Sequence, residues 1–157
     1  MTDAAIELDD LDRRILNALQ ADSTQTNNEL ALKVHVSPPT CLRRVKRLTE
    51  SGVIMRQVAL VAPQMVGAGL TAIVEITLDH QASERLVEFE AHVAREAAVL
   101  QCYRVSPGPD FVLIVQVADM AAYHALAHGL FATHSNVRNV RSFFSIFRSK
   151  FETRIAV

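Results

Sequence analysis

A chain of 157 residues is long enough for one compact domain or two small ones. Half of its residues are apolar and 21% are charged, which excludes a disordered chain, and no apolar run approaches the roughly 20 residues that span a bilayer. The net charge of -1 gives no bulk attraction to nucleic acid, so any such function must come from how charge is distributed along the sequence.

That distribution is uneven. Residues 1 to 32 carry Asp3, Glu7, Asp9, Asp10, Asp12, Asp22 and Glu29 against Arg13 and Arg14. Residues 33 to 56 carry Lys33, Arg43, Arg44, Lys46, Arg47 and Arg56 against Glu50 alone. The opening MTDAAIELDD is acidic where a secretory leader would be basic, which predicts a cytoplasmic protein with no membrane partner. Cys41 and Cys102 belong to no Cys-x-x-Cys pair and no zinc-spaced cluster, so both are read as buried small hydrophobes.

In chain order, Asp9 or Asp10 caps a first helix with Leu11, Ile15, Leu16 and Leu19 at helical spacing, ending near Ala21. Thr26-Asn27-Asn28-Glu29 offers a capping box for a brief second helix bearing Leu30, Ala31 and Val34. Val36-Ser37-Pro38-Pro39 then interrupts. Ser37 can cap, and prolines are tolerated in a first turn whose backbone donors lack partners anyway. A third helix runs from there to about Glu50 and stops at Ser51-Gly52, where glycine suits a left-handed C-cap. Three short helices with a tight turn between the second and third outline a helix-turn-helix. Val53 to Val61 reads as one or two strands that would add a wing.

Pro63, Gly67 and Gly69 mark a boundary, giving domains 1–62 and 63–157. Beyond it, Leu70 to Leu78 reads as a strand, Ser83 to Ala98 as a helix through Leu86, Phe89, Val93 and Ala97, and Val99 to Val105 and Phe111 to Val117 as a hairpin around Ser106-Pro107-Gly108-Pro109-Asp110. Met120 to Thr133 is a second helix, with Asn136 as a left-handed stop, and Val137 to Phe147 the last strand. The fold class is therefore α+β, a winged helix-turn-helix followed by a ferredoxin-like βαββαβ domain. Apolar residues on both faces of Phe111 to Val115 predict a sheet covered on both sides, by helices on one and by a dimer partner on the other.

On an ideal wheel of about 100° per residue, Arg43, Arg44 and Arg47 fall within roughly 60° of Thr40, while Cys41, Leu42, Val45 and Leu48 occupy a separate apolar arc. Arginine suits bidentate contact with guanine or phosphate, and Ser37 and Thr40 can bond phosphate or base edges. The predicted DNA-binding set is Ser37, Pro39, Thr40, Arg43, Arg44, Lys46 and Arg47, with Arg56 as a phosphate contact from the wing. His124 and His128 stand at i, i+4 but lack a neighbouring Glu or Cys, so no metal and no cofactor are predicted, and no catalytic residue is assigned.

Leu8 to Leu16, Glu29-Leu30-Ala31, Val36 to Val45, Leu48 and Gly52-Val53-Ile54 resemble the Lrp/AsnC, or feast/famine, regulators. So do Ser106 to Asp110, Asp119 to Tyr123, Lys150 and Ile155-Ala156-Val157. The resemblance implies dimers assembling into octamers or similar rings on a pseudo-palindromic double-stranded operator, with an amino-acid-like effector between subunits. It carries the effector role to Ser106, Pro107, Gly108, Pro109, Asp110, Met120 and Tyr123. Thr24 and Asn136 replace the family's usual arginine and glycine. The loop that usually reads Gly-x-x-Asp is here Pro107-Gly108-Pro109-Asp110. Asp110 can accept from an ammonium, but the two prolines remove backbone donors for a carboxylate, so the effector is expected to differ from a leucine-type regulator's or to be lacking. Two other readings are a siroheme-decarboxylase-like enzyme on the same architecture and an amino-acid-binding module without DNA function. Neither requires the basic helix.

Overall fold

The computed structural model describes residues 7–157, so the opening acidic stretch with Asp3 lies outside the described residues. Contacts divide the chain into two compact units: one runs to Ala59 and takes back Lys150–Val157, the other spans Leu60–Ser149.

The first unit holds three helices. In α1 (Asp10–Ala21) Asp9 and Asp12 cap each other, each carboxylate accepting from the other's backbone N–H at 2.9 and 3.1 Å. In α2 (Asn27–Lys33) Thr26 and Glu29 form the expected capping box. Both helices bury the apolar stripes read from the sequence. Ile15, Leu16 and Ala18 meet Leu30, Ala31 and Val34, and Cys41 and Leu48 of α3 (Pro38–Glu50) close the core. His35 takes a left-handed φ of 58° in the turn between α2 and α3, and the Val36 N–H bonds back to Ala31 O at 3.0 Å. Gly52, at φ 77°, follows α3 in the predicted left-handed conformation.

Two expectations fail here. Val53 to Val61 forms no strand: Ile54 ties back to Leu48 O at 2.9 Å, and Met55, Val58, Leu60 and Val61 are exposed. β-propensity makes a ladder only when a second backbone lies about 4.7–4.9 Å away, and the described residues supply none. The residues after Lys150, expected in the second domain, pack on the first unit instead. Gln20 donates to Ile155 O at 3.0 Å and accepts from its N–H at 2.9 Å, Asn17 donates to Val157 O, and Val157 packs on the core.

The second unit is a four-stranded antiparallel sheet in the order β2-β3-β1-β4, with β1 Leu70–Leu78, β2 Val99–Arg104, β3 Phe111–Val117 and β4 Val137–Phe144. Helices α4 (Ser83–Val93) and α5 (Met120–Ala127) supply the connections that make a ferredoxin-like fold. Alternate residues of β1 and β3, from Ala72 to Leu78 and Phe111 to Val117, are buried with Phe89, Val93, Tyr123, Leu130 and Phe131. The opposite face carries Ile73, paired in register with Ile114 and Phe143, beside the Glu75–Arg141 ion pair at 3.0 Å. Ile73 and Phe143 are 39% and 45% exposed, so within this chain that face is only partly covered.

Element ends move for local reasons. α4 stops at Val93 rather than Ala98, because the Glu96 carboxylate accepts from Ala98 N–H and a turn returns the chain to β2. The second predicted helix becomes α5 plus a turn of π-helix, His128–Ala132. β4 ends at Phe144, leaving Ile146 and Phe147 exposed. Asn136 is not left-handed. It is buried and its amide clamps His80, accepting from the N–H at 2.9 Å and donating to the carbonyl at 3.0 Å, so its polar atoms are satisfied. Cys41 is buried as expected but Cys102, on edge strand β2, is exposed.

Candidate nucleic-acid interface and effector loop

α3 owes its position to two anchors. At its start, Asn27 donates to Pro38 O at 3.0 Å and so joins the first turns of α2 and α3. Along its side, Arg44 reaches α1 and donates to Asp9 at 2.6 Å and to both oxygens of Asp12 at 3.2 and 3.3 Å, while Arg47 donates to Asp12 as well. Asp12 is fully buried, and a buried carboxylate persists only when paired and hydrogen-bonded. The capping N–H of Asp12 and then the Arg44 guanidinium hold the Asp9 carboxyl down at about 2. Asp9 in turn raises Arg44. Arg44 Nε is buried with no hydrogen-bond partner among the described residues.

The basic stripe read from the wheel is therefore divided. Arg44 is largely covered and Arg47 keeps 43% of its side chain exposed, both tied to carboxylates of α1, whereas Arg43 is exposed and no carboxylate of the described residues pairs with it. Lys46 is exposed and reaches Glu50 at 3.7 Å, a loose i, i+4 pair. Pro39 is exposed in the first turn, and Ser37 spends its hydroxyl on Thr40 at 2.9 Å instead of capping a backbone N–H. Leu42, assigned to the packing arc, is 59% exposed beside Arg43. The core is reached through Cys41, Val45 and Leu48, and Leu42 lies at the margin of that arc, about 60° beyond Val45. Arg56 is exposed in the irregular segment that replaces the expected strands.

Asp9, Asp12 and Asn27 were not recognised as site residues from the sequence. Their signal was present as a pair of acids three apart and a pair of arginines three apart, but only the crossing of α1 and α3 brings them together.

The residues expected to bind an effector fall into separate groups. Asp110 gives one carboxylate oxygen to the Leu78 N–H at 2.7 Å, and its own N–H donates to Ile76 O at 2.8 Å, so it secures the end of β1. Ser106, Pro107 and Gly108 are exposed, Pro109 is half-buried, and Gly108 has φ 120°. Met120 is 40% exposed, while Tyr123 is buried, bonds to the Ser142 hydroxyl and stacks edge-on against Phe144. The loop precedes β3 and Met120 follows it, and seven strand residues separate them by roughly 20 Å. Two cavities of the second unit, about 420 and 450 Å³, are lined by residues such as His92, Arg95 and Leu126 and by His124, Phe131 and Arg138, and neither includes a loop residue.

Comparison with known proteins matches both units. Residues 8–55 fit a winged helix-turn-helix DNA-binding model, and residues 71–155 fit the Lrp/AsnC ligand binding domain. An HTH-type transcriptional regulator of Haemophilus influenzae is 40% identical over 137 residues, 87% of this chain and 82% of its own. The leucine-responsive regulatory protein of Escherichia coli K12 is 34% identical over 151 residues, 96% and 92%. Among solved structures, an AsnC family regulator from Agrobacterium tumefaciens superposes with a TM-score of 0.89 at 38% identity, covering 94% of this chain and 96% of its own. A regulator from Neisseria meningitidis, solved with L-Met, gives 0.88 at 31%, covering 95% and 96%.

Proposed function

The chain belongs to the Lrp/AsnC family of transcriptional regulators, and on that premise we propose that it reads DNA through the open face of α3. The observation that carries this reading is the exposure of Pro39, Arg43 and Lys46 on the side of α3 away from its core contacts. Two such helices in a homodimer address a pseudo-palindromic double-stranded operator, with Ser37, Thr40 and Arg56 available to phosphate. Arg43→Ala should cost roughly 1–3 kcal/mol at the operator if Arg43 reads a base. If it holds phosphate, the variant should weaken all DNA alike and flatten the salt slope by about 1 per contact. Unchanged affinity and slope in a gel-shift titration reject the assignment.

The second unit takes an amino-acid-like effector between subunits, and the half-exposed outer face of its sheet is the dimer surface, from which octamers assemble. What supports a site shared between chains is that Ser106 to Asp110 and Met120 stand at opposite ends of β3. The Neisseria meningitidis relative bound L-Met, so methionine heads a thermal-shift screen of the twenty amino acids. Pro107→Gly should change the ligand profile by returning a backbone donor to the loop, and an unaltered profile counts against the loop. In this reading the protein is a cytoplasmic regulator and not an enzyme. A purified protein with tetrapyrrole absorbance and no DNA affinity would reverse that choice.

A further inference from the structure

We infer that Asp12 is a positioning residue for DNA reading: by holding Arg44 and Arg47 against α1 it withholds their charge from DNA and sets the rotation of α3, so that Pro39, Leu42, Arg43 and Lys46 form the reading face. The inference rests on the DNA-binding reading of α3 and says which of its residues do the reading. Three observations lead to it.

The clamp accounts for both arginines. Asp12 is fully buried and accepts from Arg44 and Arg47, and Asp9 takes Arg44 as well, so two cations on α3 face two carboxylates on α1. Their charge is neutralised inside the unit before DNA arrives. The geometry of the helix then follows. Arg44 and Arg47 lie at about +40° and -20° from Thr40, whereas Arg43, Pro39, Lys46 and Leu42 lie at about -60°, -100°, -120° and -160°. The mean directions differ by roughly 120°, so pinning the first pair turns the second group away from α1 and into solvent.

Leu42 is the third observation. A leucine 59% exposed one turn before Lys46 has no role in the core, whose α3 contributions are Cys41, Val45 and Leu48. In the major groove the thymine methyl is the feature that an apolar side chain distinguishes. Leu42 is therefore assigned to specificity at a thymine, and Arg43 and Lys46 to base edges or phosphate.

The test uses full-length protein, its operator and a scrambled duplex, by fluorescence anisotropy from 50 to 200 mM salt. Asp12→Asn removes the charge that holds Arg47 and leaves Arg44 with Asp9 as its carboxylate partner. Binding to the scrambled duplex should strengthen at low salt, with a slope steeper by about 1–2 per recognition helix, or roughly 3- to 12-fold more loss of affinity per helix across that range. The operator-to-scrambled ratio should fall. A purely structural role would weaken both duplexes and leave the slope unchanged, and that result overturns the inference. If Asp12→Asn fails to fold, as judged by circular dichroism, Arg43→Gln and Arg44→Gln decide on the scrambled duplex, where binding is to phosphate whatever Arg43 does at the operator: Arg43→Gln should flatten the slope and Arg44→Gln should not. Equal flattening by both overturns it.

Replacing each contacted thymine by uracil should weaken wild-type binding several-fold and leave Leu42→Ala indifferent. An equal response of the two proteins removes Leu42 from the reading face. Failure of the wild type to bind any duplex at 50 mM salt would instead sink the DNA-binding reading beneath the inference.

Discussion

Replacing Leu48 by alanine should destabilise the helix-turn-helix unit while leaving the stability of the sheet unit unchanged. Leu48 is fully buried among Ile15, Leu16, Leu30 and Cys41. Removing three carbons forfeits about 2.4 kcal/mol of transfer free energy at ~0.8 kcal/mol per methylene. The cavity left behind brings the total toward the ~2.7–5 kcal/mol seen for buried leucines. A unit of roughly 65 residues has about 3–10 kcal/mol to lose at ~0.05–0.15 kcal/mol per residue, so the substitution removes between about a quarter and all of it. The chain itself separates the two signals. It has no tryptophan, and its two tyrosines, Tyr103 and Tyr123, both lie in the sheet unit. Tyrosine fluorescence therefore reports that unit, while ellipticity at 222 nm also follows α1, α2 and α3. In urea, Leu48→Ala should shift an early ellipticity transition to lower urea or lose it, and lose DNA affinity, with an unchanged tyrosine midpoint. Coincident transitions that shift together by both probes would refute the argument from separate cores.

Strong acid should weaken the α1 cap. The Asp9 carboxyl is depressed from 3.8 to about 2 in the folded chain, so its contribution is present above about pH 4 and is lost as pH falls toward 2. Asp9→Asn keeps a capping acceptor but not the charge, and its helical signal should vary less with pH in that window. A slope equal to wild type would show that Asp9 does not supply it. In the sheet unit, burial and then the neighbouring His92 ring, 5.0 Å away, push His134 below 6.5. A histidine kept neutral by folding stabilises fully above about pH 6.5 and progressively less below, since the unfolded chain protonates first. The tyrosine-detected midpoint should fall between pH 7 and 5, and His134→Gln should flatten that decline. An identical decline in the variant would assign it elsewhere.

Features that depend on neighbours within a few residues were legible in the chain alone. The Thr26 and Glu29 capping box, the proline start and glycine end of α3, and the strands Leu70–Leu78 and Phe111–Val117 are local matters of backbone geometry and composition, and they formed as read. The family resemblance was carried by the same local blocks. Tertiary structure decided everything that needed a second segment. Val53 to Val61 had the composition of strands but found no partner backbone, and Asn136 used its side chain across the sheet where a left-handed turn was expected. Asp110 secured β1 through the Leu78 N–H, and the chain end returned to α1. Most of all, the wheel put Arg43, Arg44 and Arg47 on one stripe, because a wheel knows only one helix. The crossing of α1 placed a buried carboxylate against two of them, and Arg43, with Lys46 beside it, faces the solvent.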